Sequence, residues 1–204
     1  MKRLLLLPAI LVLAACAKAP PVTPDSFYRL PEPTAAGMPA VSLSHGIILV
    51  RPLLSDGLRS ERPILFSDDP AGLTLRQHHY YFWVDTPQRM VQRQLIAYLR
   101  ARRAAPMVVG DSEVSADQVI SGHIRRFEYS RDGERRTVHL GLELRLDAAG
   151  SERPLLLRDY QVDLTVAGTG MDALVMAFEQ GLARIFKGFV EDVHSHRLDN
   201  GKGK

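Results

Sequence analysis

The sequence predicts one mixed α/β (α+β) domain: a mainly antiparallel sheet containing a three-strand meander, with two helices packed on one face. Three observations carry that expectation. Between Thr137 and Leu146, the residues Val138, Leu140, Leu142, Leu144 and Leu146 alternate with His139, Glu143 and Arg145. That period of two marks a strand with one buried and one wet face. Two other stretches follow the helical period. One carries Met90, Val91, Leu95, Tyr98 and Leu99; the other carries Leu174, Val175, Phe178, Leu182, Ile185, Phe186, Phe189 and Val193. Each is the apolar stripe of an amphipathic helix. The order strands, helix, strand, three extended stretches and long helix suits helices layered on a single sheet.

The chain opens on a leader. Lys2 and Arg3 precede the apolar run Leu4 to Leu13, broken only by Pro8. The run is too short to cross a hydrocarbon core of ~30 Å and reads as an export signal. It ends on Leu13-Ala14-Ala15-Cys16, which holds the only cysteine in the 204 residues. A lone thiol has no internal disulfide partner. The four residues resemble the bacterial lipobox, in which the Ala15–Cys16 bond is cut and Cys16 receives a diacylglycerol thioether. One acyl chain binds a membrane marginally, whereas several on one residue make a lasting anchor. Residues 1–15 are therefore expected to be a lipoprotein signal peptide, 16–26 a Pro/Ala-rich tether, 27–195 the folded domain and 196–204 a disordered tail.

Within the domain, Phe27 to Leu30 is a short strand stopped by Pro31, and Gly46 to Arg51 is a buried strand stopped by Pro52. Pro63 to Ser67 adds another short strand, and Leu73 to Val84 is an extended stretch dense in aromatics. Asp85 or Thr86 caps the first helix, with Pro87 in its first turn. Met107 to Val109 is a strand closed by Gly110. Asp117–Tyr129, Thr137–Leu146 and Leu155–Val166 form the meander, turning at residues 131–134 and 148–151. In the aromatic stretch, alternation sends Tyr80 and Phe82 to one side and Tyr81 and Trp83 to the other. Only one set can face the core fully. The stretch Tyr80, Tyr81, Phe82 and Trp83 is therefore the expected interface.

Charge excludes one class of function. The formal net charge of +3 falls to +1 once Lys2 and Arg3 leave with the leader (+3 − 2). The arginines are dispersed, as on a solvated face rather than a nucleic-acid footprint. Val108-Val109-Gly110-Asp111-Ser112, with Glu191 and His194 three apart, invites comparison with GDS-type esterases. Those enzymes open their domain on the motif and use an asparagine as oxyanion donor. Here nearly half the chain precedes it, and the single asparagine is Asn200. Without such donors acyl transfer loses its largest catalytic contribution. Adjacent His78 and His79 point to opposite faces of a strand, and His194 and His196 lack further ligands nearby, so no metal is expected. Gly168-Thr169-Gly170 lacks the spacing of a nucleotide loop and reads as a link before the last helix.

The lipobox, the tether, Phe27-Tyr28-Arg29-Leu30 and Ile47-Ile48-Leu49-Val50-Arg51-Pro52 together resemble the ABC-type transport auxiliary lipoproteins. So do Tyr80 to Leu99, with Trp83 and Pro87 ahead of a helix ending in Tyr98-Leu99, the central strand Val119 to Phe127, and the long last helix. The resemblance implies a non-enzymatic lipoprotein of a Gram-negative envelope, without cofactor, held at the outer membrane through Cys16 and facing the periplasm. Its implied partners are a mammalian-cell-entry (MCE) domain protein and inner-membrane transporter components of a lipid transport system. A homo-oligomer is a further possibility. Ala17 stands where an aspartate would mark inner-membrane retention. The alternatives are an envelope esterase using Ser112 and a purely structural envelope lipoprotein.

Overall fold

The computed structural model describes residues 23–33, 38–69, 71–110, 113–151 and 153–201. The leader, Cys16, Asp111 and Ser112 lie outside the described residues. The elements are β1 (Ser26–Tyr28), β2 (Ile47–Val50), β3 (Leu54–Ser55), a 3-10 turn (Gly57–Ser60), β4 (Pro63–Ser67), β5 (Arg76–Trp83) and α1 (Pro87–Ala101). They continue with β6 (Met107–Val109), β7 (Gln118–Asp132), β8 (Arg135–Ala148), β9 (Leu156–Thr165) and α2 (Gly170–Gly201).

The long strands β7 and β8 are the spine of one sheet. They pair antiparallel from Gln118↔Ala148 to Asp132↔Arg135, and β8 pairs antiparallel with β9. Because β8 occupies one edge of β7 along its length, β2, β3 and β4 share the other. All three run parallel to β7, matching Ile48↔Gln118, Leu54↔His123 and Phe66↔Tyr129. The chain from Ile47 to Ser67 thus travels beside β7 in its direction, in three steps. β6 extends the sheet beyond β2, and β5 and then β1 extend it beyond β4.

The expectation of a mainly antiparallel sheet is corrected here. The β7–β8–β9 strands do run up and down, but five of the eight strand pairings are parallel, so the sheet is mixed. Hydrophobic period tells which residues are strand, not which distant strand lies alongside.

Both helices cover the same face. Trp83 of β5 meets Phe178 of α2 with ring centroids 5.2 Å apart, and Tyr98 of α1 meets Phe186 of α2 at 5.7 Å. Met90, Val91, Leu95, Tyr98 and Leu99 of α1 are buried, as are Leu174, Phe178, Leu182, Ile185, Phe186 and Phe189 of α2. Thr86 is the N-cap residue and Pro87 follows it. The Thr86 side chain makes no capping bond; Asp85 instead accepts the Thr86 N–H at 2.8 Å and pairs with Arg93 at 2.7 Å. Gly181 lets α2 approach β8, since a Cβ there would fall 2.5 Å from Leu140 Cδ1. At the far edge Asp192 of α2 accepts from the Tyr160 hydroxyl at 2.8 Å and pairs with Arg158 at 2.6 Å.

Two irregularities reset the inward-facing residues. In β7 the register shifts between Ile124 and Arg126. Ile120 and Ile124 are buried before the shift, and Phe127 and Tyr129 after it, so the inward set passes from even to odd numbers. In the β4–β5 pair, Pro63 faces Phe82 but Leu65 faces Gln77, leaving extra residues in β5. A bulge of this kind breaks simple alternation. Finally, α2 continues to Gly201 in place of the disordered stretch expected from residue 196. An established helix adds further turns without nucleating anew, and Arg197 reaches the Ser42 carbonyl at 3.4 Å.

Candidate functional site

The outer side of the β1–β5 edge carries the most exposed aromatic cluster among the described residues. Parallel pairing puts Phe27 beside Phe82 and Tyr28 beside Trp83. Phe27 and Phe82 stack with centroids 5.5 Å apart on the side away from the helices. Phe27 is 53% exposed and Tyr80 45%. The Arg62 guanidinium sits 5.1 Å above the Phe27 ring while its Nε donates to the Trp83 carbonyl at 3.1 Å. That arrangement combines cation–π attraction with a fixed backbone contact.

The other side of the same strand is core. Trp83 is 1% exposed, held between Phe127 at 5.6 Å and Phe178 at 5.2 Å. Tyr81 is half-buried against Tyr28 and His78. Of the four residues expected at an interface, Trp83 and Tyr81 are therefore corrected to packing roles. Tyr80 stays exposed, and the half-buried Phe82 gains Phe27 as a stacked neighbour. The sequence reading missed Phe27 because only the register of β1 on β5 brings it there.

The outer face of the meander holds a polar constellation with no linear motif. Glu128, 6% exposed, accepts from Arg59 Nε at 3.1 Å, from Arg126 Nε at 3.2 Å and from the Phe127 N–H at 3.0 Å. His139 places Nε2 2.8 Å from Ser130 Oγ and Nδ1 2.6 Å from Asp163 Oδ1. Arg59, Arg126, Glu128, Ser130 and His139 line a cavity of about 490 Å³ beneath residues 71–75. Ser130, His139 and Asp163 have the connectivity of a nucleophile, base and orienting acid. Ser130, however, lies in a ladder between Thr137 of β8 and Ser67 of β4. Backbone amides there are committed to neighbouring strands, not poised for an oxyanion. Glu128, His139 and Asp163 are directly opposite one another across three strands. The arrangement acts as a cross-strand polar ladder.

The remaining candidates separate in space. His78 is packed inward, its Nε2 2.7 Å from the Tyr129 hydroxyl and its ring 4.5 Å from Phe66, whereas His79 faces solvent. Burial, with the charge of Arg131 and then His79 beside it, holds the His78 pKa down at about 4. His194 and His196 are exposed on α2. Among the described residues no group of three or more His, Cys, Asp or Glu side chains is placed to hold a metal ion. Arg136 donates to the carbonyls of Gly168 and Gly170, at 3.1 and 2.8 Å, pinning the link ahead of α2. Arg125 pairs with Glu143 at 2.7 Å. Glu191 pairs with Lys187 at 3.9 Å, and Ser112 lies outside the described residues. No helix among the described residues is long and apolar enough to cross a membrane.

Comparison with known proteins adds a family and a fold. A family model described as "ABC-type transport auxiliary lipoprotein component" matches residues 28–187. No curated protein is significantly similar in sequence. Protein XCC0632 from Xanthomonas campestris, assigned to the family model DUF330, superposes with a TM-score of 0.71 at 18% identity, covering 87% of this chain and 99% of its own. An uncharacterized protein of solved structure gives 0.68 at 16% identity, covering 84% and 99%. The hypothetical protein CT253 from Chlamydia trachomatis gives 0.50 at 8%, covering 75% and 98%. At these identities the likeness concerns the fold alone.

Proposed function

This chain belongs to the family of ABC-type transport auxiliary lipoprotein components, and from that premise we propose that it is a non-catalytic, outer-membrane-anchored subunit of an MCE/ABC-type intermembrane lipid transport system. Its role there is to dock or receive the periplasmic transport apparatus. The observation that carries the reading is the family match over residues 28–187, preceded by Leu13-Ala14-Ala15-Cys16. Residues 1–15 act as the signal peptide, Cys16 carries the lipid, and residues 16–26 tether the domain. Ala17 permits passage to the outer membrane. Any free energy for transport comes from an inner-membrane ATPase partner, since this sequence has no phosphate-binding loop. The domain works through contacts with that partner set and an MCE-domain protein.

Membrane fractionation tests the anchor. The wild-type chain is expected in the outer-membrane fraction after a high-salt wash, and Cys16→Ala is expected to be soluble or unprocessed. A Cys16→Ala chain that stays membrane-bound after that wash overturns the reading.

A further inference from the structure

We propose that the aromatic face formed by Phe27, Tyr80 and Phe82 docks on the surface of the bilayer that carries the Cys16 anchor, so that the domain lies against the membrane instead of projecting freely from it. This inference rests on the anchor reading above and names the surface that the β1–β5 edge contacts.

The position of the tether argues for the bilayer as occupant. Only eleven peptide steps separate Cys16 from Phe27 (27 − 16). Fully extended at ~3.3–3.6 Å per residue, they reach at most ~40 Å. The aromatic face therefore begins one residue past the start of β1, Ser26, where the tether enters the domain. β1 is also the outermost strand of its side of the sheet, and Phe27 on it is 53% exposed. The bilayer is the one surface that the tether keeps within reach at all times.

The chemistry agrees with that placement. Aromatic side chains are favoured at the level of lipid headgroups, where an apolar ring and a polar tip both find suitable surroundings. Tyr80 offers such a ring and hydroxyl, and Phe27 and Phe82 offer a stacked pair. Arg62, lying over Phe27, brings a guanidinium suited to lipid phosphate. A shallow insertion is sufficient, because tethering converts the contact into an intramolecular one with an effective concentration in the millimolar range.

The helix layer supplies an internal control. Met176 of α2 is 47% exposed, and α2 covers the opposite face of the sheet, packing Phe178 on Trp83. A membrane against the outer face of β1 and β5 does not also touch Met176.

The single native cysteine makes the test clean. Once Cys16 is acylated, Tyr80→Cys or Met176→Cys is the only free thiol for an environment-sensitive fluorophore. The lipidated chain is reconstituted in vesicles of phosphatidylethanolamine and phosphatidylglycerol, with and without spin-labelled lipid as quencher. The expected result is a blue shift and quenching at residue 80, with neither at residue 176. Phe27→Ser is expected to reduce the residue-80 quenching while the chain remains on the vesicles. If the chain is retained but the two labels behave alike, the docking inference is overturned and the anchor stands. A shift at residue 80 that grows with protein density and ignores the lipid quencher also overturns it, in favour of contact with a second copy. A chain not retained by the vesicles overturns the anchor and the docking together.

Discussion

Trp83→Ala is the perturbation that most sharply divides the two sides of β5. The indole is 1% exposed and bridges Phe127 of the sheet to Phe178 of α2, with ring separations of 5.6 and 5.2 Å. Phe127 and Phe178 are themselves 4.8 Å apart, so the three rings form one closed cluster beneath α2. Truncating a buried Trp to Ala removes its transfer free energy and leaves a cavity, together about 3–5 kcal/mol. For a domain of this size each kcal/mol corresponds to about 2–4 °C in Tm. The expected fall is therefore about 6–20 °C. Tyr80→Ser, one strand face away, removes a half-exposed ring and is expected to cost under about 1 kcal/mol. Thermal unfolding followed by circular dichroism, on chains lacking the leader and carrying Cys16→Ala, measures both. A Trp83→Ala loss no larger than that of Tyr80→Ser would refute the assignment of Trp83 to the core and Tyr80 to the surface.

Three further outcomes are expected. Gly122→Ala places a Cβ 2.2 Å from the Glu143 carbonyl oxygen of the partner strand, so β7 and β8 must separate locally; denaturant titration is expected to show a loss of at least about 2 kcal/mol. His78 has its pKa held down at about 4 by burial, then by Arg131 and His79, against 6.5 when unfolded. Its contribution is complete above about pH 6.5 and is lost as pH falls toward 4, because the unfolded chain binds the proton first. His78→Gln should flatten that part of the stability profile, and an unchanged slope would count against the packing of His78 with Phe66 and Tyr129. Ser112→Ala is expected to leave both hydrolysis of short acyl esters at background and envelope function intact, and a selective loss of function with an intact fold would revive the esterase alternative.

What the sequence made legible was local. The alternation of Val138 to Leu146 marks the inward face of β8, and Pro63–Ser67 has the bounds of β4. The stripes from Met90 and Leu174 mark the buried faces of α1 and α2. Pairing was not legible, because parallel neighbours such as β2 and β7 are separated by long stretches of chain. The β7 irregularity between Ile124 and Arg126 was hidden for a related reason: the inward parity changes inside one continuous strand. β3 is two residues long, too short for any period. At the candidate surface, alternation separated Tyr80 and Phe82 from Tyr81 and Trp83, but which set turned inward emerges only from the packing of Trp83 against Phe127 and Phe178. Phe27, and the Glu128–His139–Asp163 ladder, come together only through strand pairing. No spacing in the linear sequence announces either.

Affinity purification of a tagged chain from detergent-solubilised envelopes, with the co-purifying proteins quantified by mass spectrometry, tests the docking role most directly. The wild-type chain is expected to bring down an inner-membrane ABC transporter component and an MCE-domain protein, and Cys16→Ala to lose most of both. Recovery of the wild-type chain without either, from membranes in which both are present, would contradict the assignment to an MCE/ABC-type transport system.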